Sequence, residues 1–197
     1  PASWSVGATE AHPPGGTTVT LGYTPDWPNF GTDVDVEWIS SEGKYSFVRV
    51  TIPAGHTNPT ALSVHALMRD DGAGWHSASA AIYSEDGLTK IAQSSTCDTD
   101  ISTDVAGAWA TFTFNNALVA GTTYNIAIGV SGGGGDAYIR GSDSFNDSLV
   151  PPAGVDPYAY YTVSVTNRPC DPMDATVGFS PRANRPFAIY LTYEHDG

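Results

Sequence analysis

Apolar and polar residues alternate along most of this chain, and few apolar runs last longer than eight residues before a turn. In Tyr45–Ile52 (YSFVRVTI), Val48, Val50 and Ile52 share one face, while Phe47, Arg49 and Thr51 share the other. That period of two predicts a strand. The same reading puts Leu62, Val64, Ala66 and Met68 on one face of Leu62–Met68, and predicts further strands over Ala78–Tyr83 and Lys90–Ser94. Trp109–Phe114 buries Ala110, Phe112 and Phe114, and Thr122–Val130 buries Tyr124, Ile126, Ile128 and Val130. Ala137–Arg140 follows a run of glycines that reads as a hairpin. Tyr158–Val165 points Tyr161, Val163 and Val165 one way and Tyr158, Tyr160 and Thr162 the other. Pro186–Tyr193 buries Phe187, Ile189, Leu191 and Tyr193. No segment keeps a 3.6-residue period, and no repeat recurs at a fixed interval. About nine or ten short strands between turn clusters predict an all-β fold, a two-sheet antiparallel β-sandwich of jelly-roll-like type. Without a linker, residues 1–197 read as a single domain, in which 1–34 form an extended N-terminal arm or early strand packed on the body.

Composition narrows the function classes. Hydrophobic residues make up 41% of the 197, enough for a core, and the 21 glycines and 14 prolines suit many turns. The net charge is −13, from 21 acidic and 8 basic residues. The six arginines are scattered and the lysines are only Lys44 and Lys90, so the basic face that phosphate contacts demand is missing. Nucleic acid is therefore excluded as a partner, an anionic membrane surface is disfavoured, and no apolar run predicts membrane insertion. Aspartates outnumber glutamates 16 to 5, which fits a loop-rich β protein and calcium-type oxygen ligands. Cys97 and Cys170 permit one disulfide, and two free thiols are equally allowed. The start at Pro1 fits a mature or excised domain, or removal of an initiator methionine.

Three blocks carry a family resemblance: AAIYSEDG with LTKIAQSS, then AGAWATFTFNNALVAGTTYNIAIGV, then NRPFAIYLTY. They resemble a hairpin, a second hairpin and a terminal strand of a widespread family of extracellular β-sandwich accessory modules found on secreted glycan-active, cell-surface and phage structural proteins. The resemblance covers roughly residues 45–193 and implies a non-catalytic sandwich in an extracellular, cell-surface or virion setting. Asn125 and Ile126 depart from it, since an aromatic often follows the tyrosine there.

Catalytic motifs do not survive their context. Gly129-Val130-Ser131-Gly132-Gly133 matches G-x-S-x-G, but a nucleophile elbow needs a helix after the serine, and glycines leading into Asp136-Ala137-Tyr138 are poor helix text. The five histidines show no close metal-ligand spacing. His65 alternates away from Val64 and Ala66 and so lines a sheet face. Asp98, Asp100 and Asp104 are the candidate ligands for a structural calcium, although the EF-hand glycine and terminal glutamate are missing; a solvated acidic turn is the plainer reading. Trp75, beside His76, and Trp27 lie in polar loops, and Tyr158 and Tyr160 alternate away from the core. These are candidate platforms for sugar rings, against ordinary aromatic packing. The expectation is a non-enzymatic module that binds a polysaccharide or glycan through loop aromatics. The alternative is a structural virion or cell-surface protein that assembles with its own kind or with other surface proteins.

Overall fold

A computed structural model describes residues 16–25, 36–40, 45–70, 75–95, 101, 107–133, 137–142, 151–161, 173–177, 180–182 and 187–196. Among these the secondary structure is all strand: β1 (Thr17–Gly22), β2 (Val36–Ser40), β3 (Tyr45–Thr51), β4 (Thr57–Asp70), β5 (Trp75–Ser84), β6 (Lys90–Gln93), β7 (Ala108–Ala117), β8 (Thr123–Gly133), β9 (Ala137–Ser142), β10 (Val155–Tyr161), β11 (Ser180–Arg182) and β12 (Ile189–Asp196). No helix long and apolar enough to cross a membrane is present among the described residues.

The strands form two antiparallel sheets. In the first, β4 is the spine. One edge of β4 pairs with β7; the other is shared, with β12 along its first part and β9 along Met68–Asp70. β1 adds to β12 and β2 to β9. The second sheet runs β11-β10-β3-β8-β5-β6. Apolar residues from alternate positions of both sheets meet in one core, including Val48, Val50, Ile82, Ile126 and Ile128 from the second sheet and Val64, Phe112, Ile139 and Leu191 from the first. The expected all-β, two-sheet antiparallel sandwich is therefore what the chain forms.

Three details differ from the sequence reading. Leu62 is not on the core face; Ala61 is, fully buried. Thr192 pairs with Ser63 but Tyr193 pairs with Ala61, so β4 carries one extra residue there, and such a bulge resets the alternation. Secondly, the glycines after Val130 do not close a hairpin. β8 continues to Gly133 in the second sheet, with Ser131 opposite Ser77, and β9 belongs to the first sheet. Thirdly, β7 and β8 also lie in different sheets, so the AGTT turn carries the chain across the sandwich. Of the two hairpins that the resemblance implies, only β5–β6 is one.

The outer face of the second sheet is divided. Tyr45, Phe47, Ala81, Tyr83 and Ala127 form an apolar patch there that Met173 and Val177 cover. Segment 173–177 is held over it by hydrogen bonds. Tyr83 Oη donates to Asp174 O at 2.7 Å, Asp174 N donates to Tyr45 Oη at 3.0 Å, and Met173 N donates to Gln93 Oε1 at 2.8 Å. Lys90 Nζ donates to Met173 O at 2.5 Å, and Val177 N donates to Gly87 O at 3.0 Å. Gly129 makes room beneath the segment, because a Cβ there would stand 2.9 Å from the Tyr45 ring.

Candidate functional site

Beyond that covered patch, the same outer face becomes polar. The next outward positions of β3 are Arg49 and Thr51, and those of β8 are Asn125 and Thr123, with Arg49 opposite Asn125 and Thr51 opposite Thr123. Three turns rise around them. The first, Ser84–Thr89, is built by its own polar side chains. The Asp86 carboxylate accepts the Ser84 hydroxyl at 2.6 Å and the Leu88 N–H at 3.0 Å, and Thr89 N donates to Ser84 Oγ at 3.0 Å. Those bonds, the hydroxyl's first, hold the Asp86 carboxyl below its usual range. The second turn, before β8, is pinned by Gly121 N donating to Ile52 O at 2.9 Å. The third leads into β10, where Gly154 O accepts Thr51 N at 2.7 Å. Gly154 has φ +77°, and a Cβ there would lie 3.0 Å from Thr51 O, so this close, left-handed approach favours glycine.

The floor of the resulting groove is one connected network. Asn125 is fully buried, and its Nδ2 donates to Ser84 O and Glu85 O, each at 2.8 Å. Its Oδ1 accepts Arg49 Nε at 3.2 Å. Arg49 Nη2 donates to Glu85 O at 3.4 Å, and Nη1 lies 3.8 Å from Asp156 Oδ2. Thr51 and Thr123 share a hydroxyl–hydroxyl bond of 2.9 Å. A buried amide left without partners would be costly; here it ties the first turn to the sheet and fixes the guanidinium. Two adjoining clefts, of about 820 Å³ and 340 Å³, share Arg49, Glu85 and Thr123. Among the described residues their linings hold one cation against three acids, Glu85, Asp86 and Asp156. Such a surface offers hydroxyls, carboxylates and a fixed fork of N–H donors, chemistry suited to a polyhydroxylated ligand.

Two other clusters are more self-contained. On the outer face of the first sheet, His65 stacks on Tyr190 (centroids 4.4 Å apart, 12° between planes), with Trp109 tilted beside Tyr190 at 5.1 Å. Both His65 nitrogens are engaged, Nε2 with Ser63 Oγ at 2.8 Å and Nδ1 with Thr111 Oγ1 at 3.1 Å. Burial lowers the His65 pKa. His65 thus lines a sheet face as expected, and its ring face is spent on Tyr190. At the far end of β12, His56 and His195 stack at 3.7 Å, and Tyr193 Oη bonds His56 Nδ1 at 2.8 Å. The fold brings this pair together across most of the sequence, which spacing could not show. Stacked rings send their nitrogens in parallel rather than toward one ion. Among the described residues no group of three or more His, Cys, Asp or Glu side chains is arranged to hold a metal.

The sequence candidates fall differently. Trp27, the calcium candidates Asp98, Asp100 and Asp104, and the disulfide candidates Cys97 and Cys170 lie outside the described residues. Trp75 and His76 open β5 opposite Gly133 and Gly132, and Tyr160 pairs with Phe47 in β10, the strand that also holds Tyr158; the side chains of these four are outside the described set. Sequence reasoning passed over Arg49, Asn125, Thr123, Glu85, Asp86 and Asp156. Two signals were available: Arg49 and Thr51 alternate outward in a strand whose other outward residue is Phe47, and Asn125 stands where the resembled family often has an aromatic. Comparison with known protein families and with curated protein sequences returns no match.

Proposed function

We propose that this chain is a non-catalytic, extracellular or surface-exposed glycan-binding module, and that its site is the groove around Arg49. The observation that carries this reading is the Asn125–Arg49 network, which presents a pre-oriented guanidinium among threonine hydroxyls and carboxylates in an open cleft of about 820 Å³. Sugar hydroxyls are both donors and acceptors, and a lining of both kinds can satisfy them. The acidic lining and the net charge of −13 argue against a polyanion such as nucleic acid. Binding here rests on hydrogen bonds rather than on the loop aromatics that the sequence brought forward. We also read the eight central strands, in the orders β1-β12-β4-β7 and β3-β8-β5-β6, as jelly-roll connectivity, with β2, β9, β10 and β11 as additions.

A glycan array probed with the wild-type chain and with Arg49→Ala tests the reading. Binding to one glycan class that Arg49→Ala abolishes supports it. Binding that Arg49→Ala leaves unchanged moves the site elsewhere, and absence of any glycan binding removes it.

A further inference from the structure

We infer that the groove selects its ligand by charge, taking oligosaccharides that carry protonated amino groups, of the glucosamine type, in preference to N-acetylated or uronic ones. This inference rests on the glycan-binding reading of the same groove.

The guanidinium of Arg49 is the one cation in the lining among the described residues, and its charge is already answered. It faces Asp156 at 3.8 Å, and its N–H groups also donate to Asn125 Oδ1 and Glu85 O. An incoming carboxylate would have to compete with Asp156 for it. Glu85 and Asp86 line the same cleft, both exposed, in a turn whose backbone is fixed by Asn125 and Gly87. The Asp86 carboxylate is held by the Ser84 hydroxyl and the Leu88 N–H, and Arg49 reaches the backbone carbonyl of Glu85 rather than either carboxylate. Lys90, the nearest lysine in sequence, is turned to the other half of the sheet, where it bonds Gln93 Oε1 and Met173 O. An ammonium group gains charge-assisted hydrogen bonds at such a wall, a neutral acetamide gains only ordinary ones, and a uronate is repelled. The acidic surface of the whole chain adds to this, because a concave site with one dominant sign of charge raises the local concentration of the opposite sign.

The test compares glucosamine oligomers, N-acetylglucosamine oligomers of the same length and uronic acid oligomers by calorimetric titration at low salt. Glucosamine oligomers are expected to bind on the order of tenfold tighter than the acetylated ones, by the usual gain of a charged over a neutral hydrogen bond. That preference should shrink in concentrated salt, where the screening length falls to about 3 Å. The double variant Glu85→Gln/Asp86→Asn keeps the backbone carbonyl of position 85 and an acceptor oxygen at position 86, so the turn has the bonds it needs. In it the affinities for glucosamine and N-acetylglucosamine oligomers should become equal, whatever happens to either affinity alone. Equal or tighter binding of acetylated or uronic oligomers overturns the inference and leaves the glycan reading standing, as does an amine preference that survives the double variant. Failure of all three oligomer classes, together with a silent glycan array, overturns both.

Discussion

Along β3, Tyr45 and Phe47 belong to one half of the second sheet's outer face, and Arg49 and Thr51 belong to the other. All four occupy the same kind of position, alternate residues on the side away from the core. Yet Tyr45 and Phe47 are fully buried while Arg49 is half-exposed on the floor of a groove. The difference lies in what arrives from far along the chain. Segment 173–177 brings Met173 and Val177 over the aromatic half and secures itself through the Tyr45 and Tyr83 hydroxyls. Nothing among the described residues covers the polar half; three turns stand around it instead. One face is thus part second core and part candidate binding surface, and residue chemistry marks the boundary between Phe47 and Arg49.

The largest test of that contrast is Phe47→Ala. Removing a fully buried aromatic should cost about 3–5 kcal/mol of unfolding free energy, read from urea denaturation, while ligand affinity of the folded protein changes little. A loss below about 1 kcal/mol would mean that the 173–177 segment does not seal the patch. Asn125→Ala comes next. It strips the donors from Ser84 O and Glu85 O and should cost about 1–3 kcal/mol; unlike Phe47→Ala, it should also weaken ligand binding by freeing Arg49. A variant that loses stability but binds normally would separate the network from the site. Gly129→Ala forces a methyl against the Tyr45 ring and should destabilise by about 1–3 kcal/mol through overpacking, with a change in tyrosine fluorescence from the covered half. Arg49→Ala should cost about 1–2 kcal/mol, because it removes the hydrogen bond to the buried Asn125 Oδ1 together with a weak, partly exposed ion pair, and it should weaken binding even under conditions where the variant is fully folded.

Alkaline pH separates the halves by another route. Burial, opposed by the Asp174 N–H and assisted by the Asp174 charge, pushes the Tyr45 hydroxyl up to about 12, and burial raises Tyr83 further. A hydroxyl whose pKa is higher folded than unfolded stabilises fully below the unfolded value, near 10, and that contribution is lost as pH rises through the folded value. The urea midpoint should therefore hold to about pH 10 and fall toward pH 12. Tyr23, raised mainly by burial on the core side, shares in the fall, so the Tyr45→Phe/Tyr83→Phe double variant should flatten the profile in part. An unchanged profile in that variant would assign the whole effect elsewhere.

The core was largely legible before the fold was known. Val48, Val50, Phe112, Ile126, Ile128, Ile189 and Leu191 were placed by alternation, and each is buried in the sandwich. Alternation failed at Leu62, where an inserted residue shifts the face, and at the two turns that look like hairpins but cross between sheets. A glycine-rich or AGTT turn specifies a change of direction, not the sheet that the next strand joins; that choice depends on partners remote in sequence. The site was less legible still. Glu85 and Asp86 read as turn residues, Arg49 as an outward residue and Asp156 as one more acid, and no spacing connects them.

Residue order by itself determined the periodicity, hence the strands and the apolar set they bury, because side chains of a strand alternate whatever its partners are. It also determined the net charge of −13. Only the tertiary structure decided which outward faces stay open. Burial of Phe47 depends on a segment more than a hundred residues away, and the groove exists because β3, β8 and three separate turns meet there. Both are long-range packing outcomes, governed by which surfaces find partners rather than by the local pattern.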